Sequence, residues 1–213
     1  MDALDKLKSD WKRSEINYPR FSEKDIYAML HKRSSSIVKW ILIISVLEFV
    51  FWLGLSFLLR DSSQVRRIDS FNIQYITIPL EVLNYIIILF FVGVFYRNYN
   101  KIKVTDNVRT LMQNILHTKR AVTYYIFSII IYMLISIITI FVLFFNYDPD
   151  LIKLIHESEA NGDLLKFYAI YVGLALVGTA VILLVFWLFY KLLYGLLLKR
   201  LHRNYEELKK LDL

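Results

Sequence analysis

The sequence of 213 residues contains no cysteine. Disulfides, thiolate metal sites and cysteine nucleophiles are therefore excluded. The metalloprotease motif HExxH, the hydrolase motif GxSxG, a phosphate-binding glycine loop and a dinucleotide fingerprint are also missing. We therefore expect neither an enzyme nor a bound cofactor.

A cleavable signal peptide is not visible either. The first apolar run begins near Ile37, behind a polar and charged segment of 36 residues. We expect the first membrane helix to serve as the insertion signal as well.

Apolar residues are what the chain has in excess, since they make up 57% of the sequence and the mean hydropathy is +0.45. A helix needs about 20 apolar residues to cross the hydrocarbon layer. Four stretches meet this requirement: 37–59, 75–96, 121–145 and 167–190. The sequence predicts an all-α membrane protein, a bundle of four transmembrane helices. It divides into a segment 1–36, a membrane domain 37–198 and a helical tail 199–213.

The positive charges predict the orientation, because short loops rich in Lys and Arg stay in the cytoplasm. Of the 26 basic residues, 21 lie before or just inside the first span, separate the second from the third, or follow the fourth. The two other loops carry five basic and seven acidic residues. We expect both termini to be cytoplasmic.

The predicted cytoplasmic segments carry amphipathic helices. Leu4, Leu7 and Trp11 share one helical face, and Ser22 with Asp25 forms a capping box that starts a second helix. The fourth apolar block continues past Tyr190 as a projecting helix, able to pair with the N-terminal helices or with another copy of the chain. These helices are expected to lie on the membrane, dock on the inner loop or bind a protein. The candidate contacts to a partner or to anionic lipid are Trp11, Lys32, Arg33, Arg97, Lys119, Arg120, Lys199, Arg200 and Arg203.

Similar residues flank the two halves of the membrane domain. Residues 30–33 (LHKR) precede the first span and residues 116–120 (LHTKR) precede the third, while an RNY triplet follows both the second and the fourth. The pattern is typical of two hairpins of the same orientation. A true duplication and independent anchoring by similar residues both account for it.

Two carboxyl groups lie inside the spans: Glu48 in the first and Glu81 in the second, with Asn84 one turn beyond Glu81. A charge at the bilayer centre is costly, so both should face the bundle. One interpretation is structural: a neutral Glu that donates a hydrogen bond to Asn84, Ser45 or a tyrosine hydroxyl would hold the first hairpin together. The other is functional, with Glu48 and Glu81 sharing a proton or binding a cation.

The four histidines do not predict a metal site. His31, His117 and His202 fall on the predicted inner side and His156 on the outer side. Histidines near lipid headgroups are the simpler interpretation, and we expect no metal.

Residues 32–42 (KRSSSIVKWIL), residues 25–29 (DIYAM) and the basic tail that begins with residues 203–205 (RNY) give the chain a likeness to a known group. It resembles uncharacterised four-helix proteins of the bacterial inner membrane. Some members carry the name of carotenoid-cleaving oxygenases, a name that implies a β-propeller with iron held by four histidines. This chain departs from that pattern, because it is short and helical and its histidines lie on opposite sides of the membrane. The resemblance implies a bacterial cytoplasmic membrane and a regulatory or scaffolding role.

The sequence thus predicts a non-enzymatic membrane protein that acts as a regulator or complex subunit through its basic cytoplasmic face. The partners expected are membrane lipids and either another protein or further copies of the chain, and no nucleic acid. The alternative is a small ion- or proton-coupled transporter or channel that uses Glu48 and Glu81.

Overall fold

The computed structural model describes residues 22–105 and 107–210, and these form six α-helices without a strand. In chain order the helices are α1 (Glu23–Leu59), α2 (Ser63–Asp69), α3 (Gln74–Lys103), α4 (Val108–Tyr147), α5 (Pro149–Ala160) and α6 (Leu164–Lys209).

The four long helices α1, α3, α4 and α6 are long and apolar enough to cross a membrane. Each contains one of the four predicted spans and extends beyond it. The chain is therefore a multi-pass membrane protein, and the predicted all-α bundle is confirmed.

The four long helices form a ring of antiparallel neighbours. Contacts join α1 to α3, α3 to α4, α4 to α6, and α6 back to α1. The bundle can thus be described as two hairpins of the same orientation, α1–α3 and α4–α6.

The two ends of the bundle differ in how tightly they pack. At the end that holds Ser22, Thr105, Asn107 and Lys210, which we call the terminal end, the helices enclose a continuous apolar core. All five buried residues of α6 lie from Tyr190 onward, toward that end. At the opposite end, which we call the loop end, cavities lie between the helices.

The helix α1 joins the predicted cytoplasmic segment to the first span without a break. It begins at the predicted capping box, where the Ser22 hydroxyl accepts a hydrogen bond from the Asp25 amide and the Asp25 carboxylate accepts one from the Ser22 amide. The Ser22 hydroxyl also donates to the Asp25 carboxylate at 2.6 Å, and this hydrogen bond, followed by the one from the Ser22 amide, lowers the pKa of the Asp25 carboxyl. The segment after Ser22 is therefore one arm of the bundle, and the boundary placed at residue 36 falls within α1. The predicted helix that contains Trp11 lies outside the described residues.

Two short helices, α2 and α5, cover the loop end and are joined by an ion pair. Asp148 caps α5, accepting hydrogen bonds from the amides of Asp150 and Leu151, and lies 2.8 Å from the Arg67 guanidinium of α2. Burial disfavours the charge on Asp148, but the Arg67 hydrogen bond and the two amides outweigh it and lower the pKa of the carboxyl. The Asp148 hydrogen bond in turn raises the pKa of Arg67.

Candidate functional site

The terminal end is held together by polar contacts as well as by its apolar core. Near the start of α1, the Tyr27 hydroxyl donates to the Thr105 carbonyl at 3.1 Å, and His31 Nε2 lies 2.7 Å from the Ile102 carbonyl. These contacts dock the first turns of α1 on the connection between α3 and α4, one of the placements expected for this segment.

The end of α6 packs against the same part of α1. The buried Asn204 side chain donates from Nδ2 to the buried Ser34 hydroxyl at 3.1 Å. The predicted projecting helix is thus present and lies beside the N-terminal part of α1. Within α6, Arg203 pairs with Glu207 at 3.8 Å and His202 lies 3.9 Å from Glu206.

The surface of this end is strongly basic. Its described segments (22–36, 97–105, 107–120 and 191–210) carry fifteen Lys or Arg residues and four Asp or Glu residues. Seven of the predicted contact residues are exposed: Lys32, Arg33, Arg97, Arg120, Lys199, Arg200 and Arg203. Lys119 is half-buried. The Ser34–Asn204 contact places the α1 turn with Lys32 and Arg33 beside the α6 turns with Arg200 and Arg203. The remaining predicted contact, Trp11, lies outside the described residues.

Deeper in the bundle, Glu48 of α1 is held by tyrosines of α6. The Tyr190 hydroxyl donates a short hydrogen bond to Glu48 Oε1, and the Tyr194 hydroxyl lies 3.4 Å from Oε2. The two phenol rings stack with their centroids 6.1 Å apart. Glu48 therefore joins the first span to the fourth, not to Asn84 within the first hairpin.

A third tyrosine, Tyr125 of α4, completes the Glu48–tyrosine cluster (Glu48, Tyr125, Tyr190 and Tyr194). Its ring stands edge-on to those of Tyr190 and Tyr194, with centroids 6.2 and 5.9 Å away. Its side chain is fully buried, and its hydroxyl has no hydrogen-bond partner among the described residues. On the terminal side, Phe91 and Phe95 of α3 pack against Tyr125 and close the interior with aromatic rings.

The Glu48–tyrosine cluster borders an apolar groove of about 690 Å³ between α1 and α6. Its walls include the stacked pair Trp52 and Phe186, whose ring centroids lie 6.2 Å apart. Glu48 and Tyr190 also line the groove.

Glu81 of α3 lies in a separate polar cluster near the loop end. It accepts a hydrogen bond from the Ser56 hydroxyl at 2.7 Å and a long one from Tyr85 at 3.4 Å. Cavities of about 490 and 870 Å³ lie on its two sides, and Asn84 lines the larger one.

The structure does not bring Glu48 and Glu81 together. Ser56, which marks the level of Glu81, lies eight residues beyond Glu48 on α1, a rise of about 12 Å. No described hydrogen bond joins the two carboxyl groups, so a proton shared directly between them does not fit this geometry. The sequence contained both glutamates but gave no sign that Tyr190 and Tyr194 would meet Glu48, because helical periodicity indicates a face and not the neighbour it meets.

Three of the described histidines make separate contacts. His31 contacts the Ile102 carbonyl, His202 lies near Glu206, and His156 bonds the Ile152 carbonyl at the loop end. Among the described residues no group of three His, Asp or Glu side chains could hold a metal ion.

One family of proteins matches the chain over nearly its whole length. The family, described as a domain of unknown function (DUF8845), matches residues 24–213, and the chain belongs to it. The matched segment starts within the first turn of α1 and so includes the part of α1 that precedes the first span. No curated protein and no solved structure matches the chain.

Proposed function

We propose that this member of the DUF8845 family is a non-enzymatic protein of a bacterial cytoplasmic membrane. In this proposal both termini are cytoplasmic, and the terminal end acts as a regulator or as a scaffold for a larger complex. The observation that carries the proposal is the extension of all four spans into one packed, basic bundle end. Helices that served only to cross the membrane would not need this shared core.

The packing at this end supports a rigid docking surface. Leu30, Ile102, Leu111, Leu201 and Leu208 are buried there and come from all four long helices. Preorganised surfaces bind with a smaller loss of conformational freedom than flexible tails. The basic face is therefore presented in a fixed arrangement.

The charge indicates the chemistry of the partner. Lys32, Arg33, Lys199 and Arg200 are exposed, and none of them pairs with a described carboxylate. A partner with an acidic surface complements this face and would be drawn to it by long-range attraction. We therefore expect an acidic protein surface to dock across α1 and α6.

Charge reversal tests the proposal. The variant Lys199→Glu/Arg200→Glu changes the proposed face, and Lys153→Glu/Lys166→Glu makes the same change in charge at the loop end. Both variants are purified from native membranes in mild detergent beside the unmodified chain, and co-purifying proteins are quantified by mass spectrometry. We expect a stoichiometric partner that the loop-end variant retains and the terminal-end variant loses. Equal retention by both variants, or a chain that purifies without a partner, would overturn the proposal.

A transporter that uses Glu48 and Glu81 is the alternative. In its favour, Glu81 lies between two cavities at the loop end. Against it, the two carboxyl groups belong to separate clusters, and Phe91, Phe95 and Tyr125 fill the interior on the terminal side. Ion-dependent flux in liposomes that Glu48→Gln abolishes, with folding intact, would favour this alternative.

A further inference from the structure

A groove between α4 and α6 lies where the predicted third span begins and the fourth ends. It consists of a cavity of about 540 Å³ between the two helices and an adjoining cavity of about 290 Å³ that is lined by α4 alone; Thr123 lines both. The predicted span boundaries at Ala121 and Tyr190 place the groove at the level of the lipid headgroups on the terminal side. It is separate from the Glu48–tyrosine cluster and from the groove between α1 and α6.

Three cations line this groove. Lys119 and Arg120 come from α4, and Lys191 comes from α6. None of them forms an ion pair with a described carboxylate, and the Lys191 ammonium lies 4.5 Å from the centroid of the Trp187 ring. Three unpaired cations at a membrane boundary favour an anion from outside the chain.

The part of the groove nearer the bilayer is apolar. Ile126, Phe127 and Ile130 line it on α4, and Trp187 lines it on α6. Gly195 also lines the groove on α6, where it presents no side chain. A ligand here would have an anionic head beside the three cations and hydrocarbon against the apolar wall.

We propose that this groove binds an anionic phospholipid. Its phosphate lies among Lys119, Arg120 and Lys191, and its acyl chains lie along Ile126, Phe127 and Ile130. A zwitterionic phospholipid is disfavoured because its ammonium would approach the same three cations. The site depends on membrane insertion only, so it stands whether or not the terminal end binds a protein.

The basic residues of the terminal end lie at two distances from the membrane, and the lipid site uses the nearer ones. Arg200 lies nine residues beyond Lys191 on α6, which is about 13 Å further from the membrane. Lys199 and Arg200 therefore remain available to a protein while Lys119, Arg120 and Lys191 hold lipid.

Tryptophan quenching by brominated lipids tests the site. The chain has four tryptophans, so the variant Trp11→Phe/Trp40→Phe/Trp52→Phe leaves Trp187 as the sole tryptophan, which is excited selectively. This protein is placed in phosphatidylcholine nanodiscs that contain increasing fractions of brominated phosphatidylglycerol or brominated phosphatidylcholine. We expect the phosphatidylglycerol to quench at a lower mole fraction. Equal quenching by the two lipids at every fraction would overturn the proposal.

Substitution of the three cations tests the same site in a second way. In the Trp187 background, Lys119→Gln/Arg120→Gln/Lys191→Gln is expected to remove the preference for phosphatidylglycerol, with about fivefold lost for each cation. The control Lys153→Gln/Lys166→Gln at the loop end should keep it. If the triple variant fails to fold, the quenching is measured in 1 M salt on the protein that keeps all three cations. The salt should likewise reduce the preference for phosphatidylglycerol by screening. A preference that survives both changes would contradict the assignment.

Discussion

The hydroxyl of Tyr190 donates a hydrogen bond to the carboxyl group of Glu48 across the interface between α6 and α1. The two residues are 142 positions apart in the chain, and their contact closes the ring of four long helices. It joins the first and last spans at the level where the packed core begins. The polar group in the first span is thus satisfied by the last span.

Removal of the Tyr190 hydroxyl should loosen this interface. We expect Tyr190→Phe to lower the free energy of unfolding by about 0.6 to 1.7 kcal/mol, from the average to the largest value for hydrogen bonds between membrane helices. Unfolding by SDS in mixed micelles measures the change. Tyr124→Phe is the matched control, because Tyr124 is 64% exposed on the lipid side of α4. Equal losses in the two variants would show that the Glu48 contact contributes nothing specific.

Two substitutions of Glu48 should show whether the fold needs a hydrogen-bond acceptor at this position or the carboxyl group itself. Glu48→Gln keeps an oxygen acceptor for Tyr190, so we expect folding to be preserved. Glu48→Leu leaves the Tyr190 and Tyr194 hydroxyls without this acceptor in an apolar interior, at a cost of about 1 to 3 kcal/mol. The same SDS titration compares the two variants. A Gln variant as unstable as the Leu variant would mean that the fold requires the carboxyl group itself.

Loss of one partner of the Asn204–Ser34 hydrogen bond should destabilise the protein more than loss of both. Asn204 Oδ1 is buried and has no described partner, so the bond from Nδ2 to Ser34 is the hydrogen bond on which this side chain depends. Ser34→Ala should destabilise the protein by about 1 to 3 kcal/mol, because it leaves the amide unpaired.

The double variant Ser34→Ala/Asn204→Leu should recover most of that loss, since no buried polar group is left unsatisfied. Thermal unfolding of the purified chain measures both. Ser36→Ala, at an exposed position of α1, is the control. A double variant no more stable than Ser34→Ala would contradict this account.

The ion pair between Arg67 and Asp148 should make stability depend on pH. Because the pKa of Asp148 is lowered in the fold, its stabilising effect is complete above the unfolded value, near 3.9. It is lost as the pH falls through the lower folded value.

Asp148→Asn tests this dependence, since asparagine also caps a helix but does not titrate. The difference in Tm between the unmodified chain and this variant, followed from about pH 6 to pH 2, should shrink as the pH falls. A difference that stays constant with pH would show that the charge on Asp148 does not contribute.

The sequence predicted the elements of the fold better than their contacts. The spans follow from apolar length, and the start of α1 follows from Ser22 and Asp25, because both signals are local. The continuity of α1 through residues 32–36 (KRSSS) was missed, since a polar stretch resembles a boundary when its buried Ser34 has no visible partner. That partner, Asn204, is 170 residues away.

The orientation of the bundle underlies the proposed function, and the absence of cysteine allows it to be measured without background. Single-cysteine variants Lys153→Cys at the loop end and Lys103→Cys at the terminal end, both at exposed positions, are treated with a membrane-impermeant maleimide in cells whose cytoplasmic membrane is intact. We predict that Lys153→Cys is labelled at once and Lys103→Cys only after the membrane is permeabilised. Labelling of Lys103→Cys in intact cells would contradict the account, because the basic end would then face away from any cytoplasmic partner.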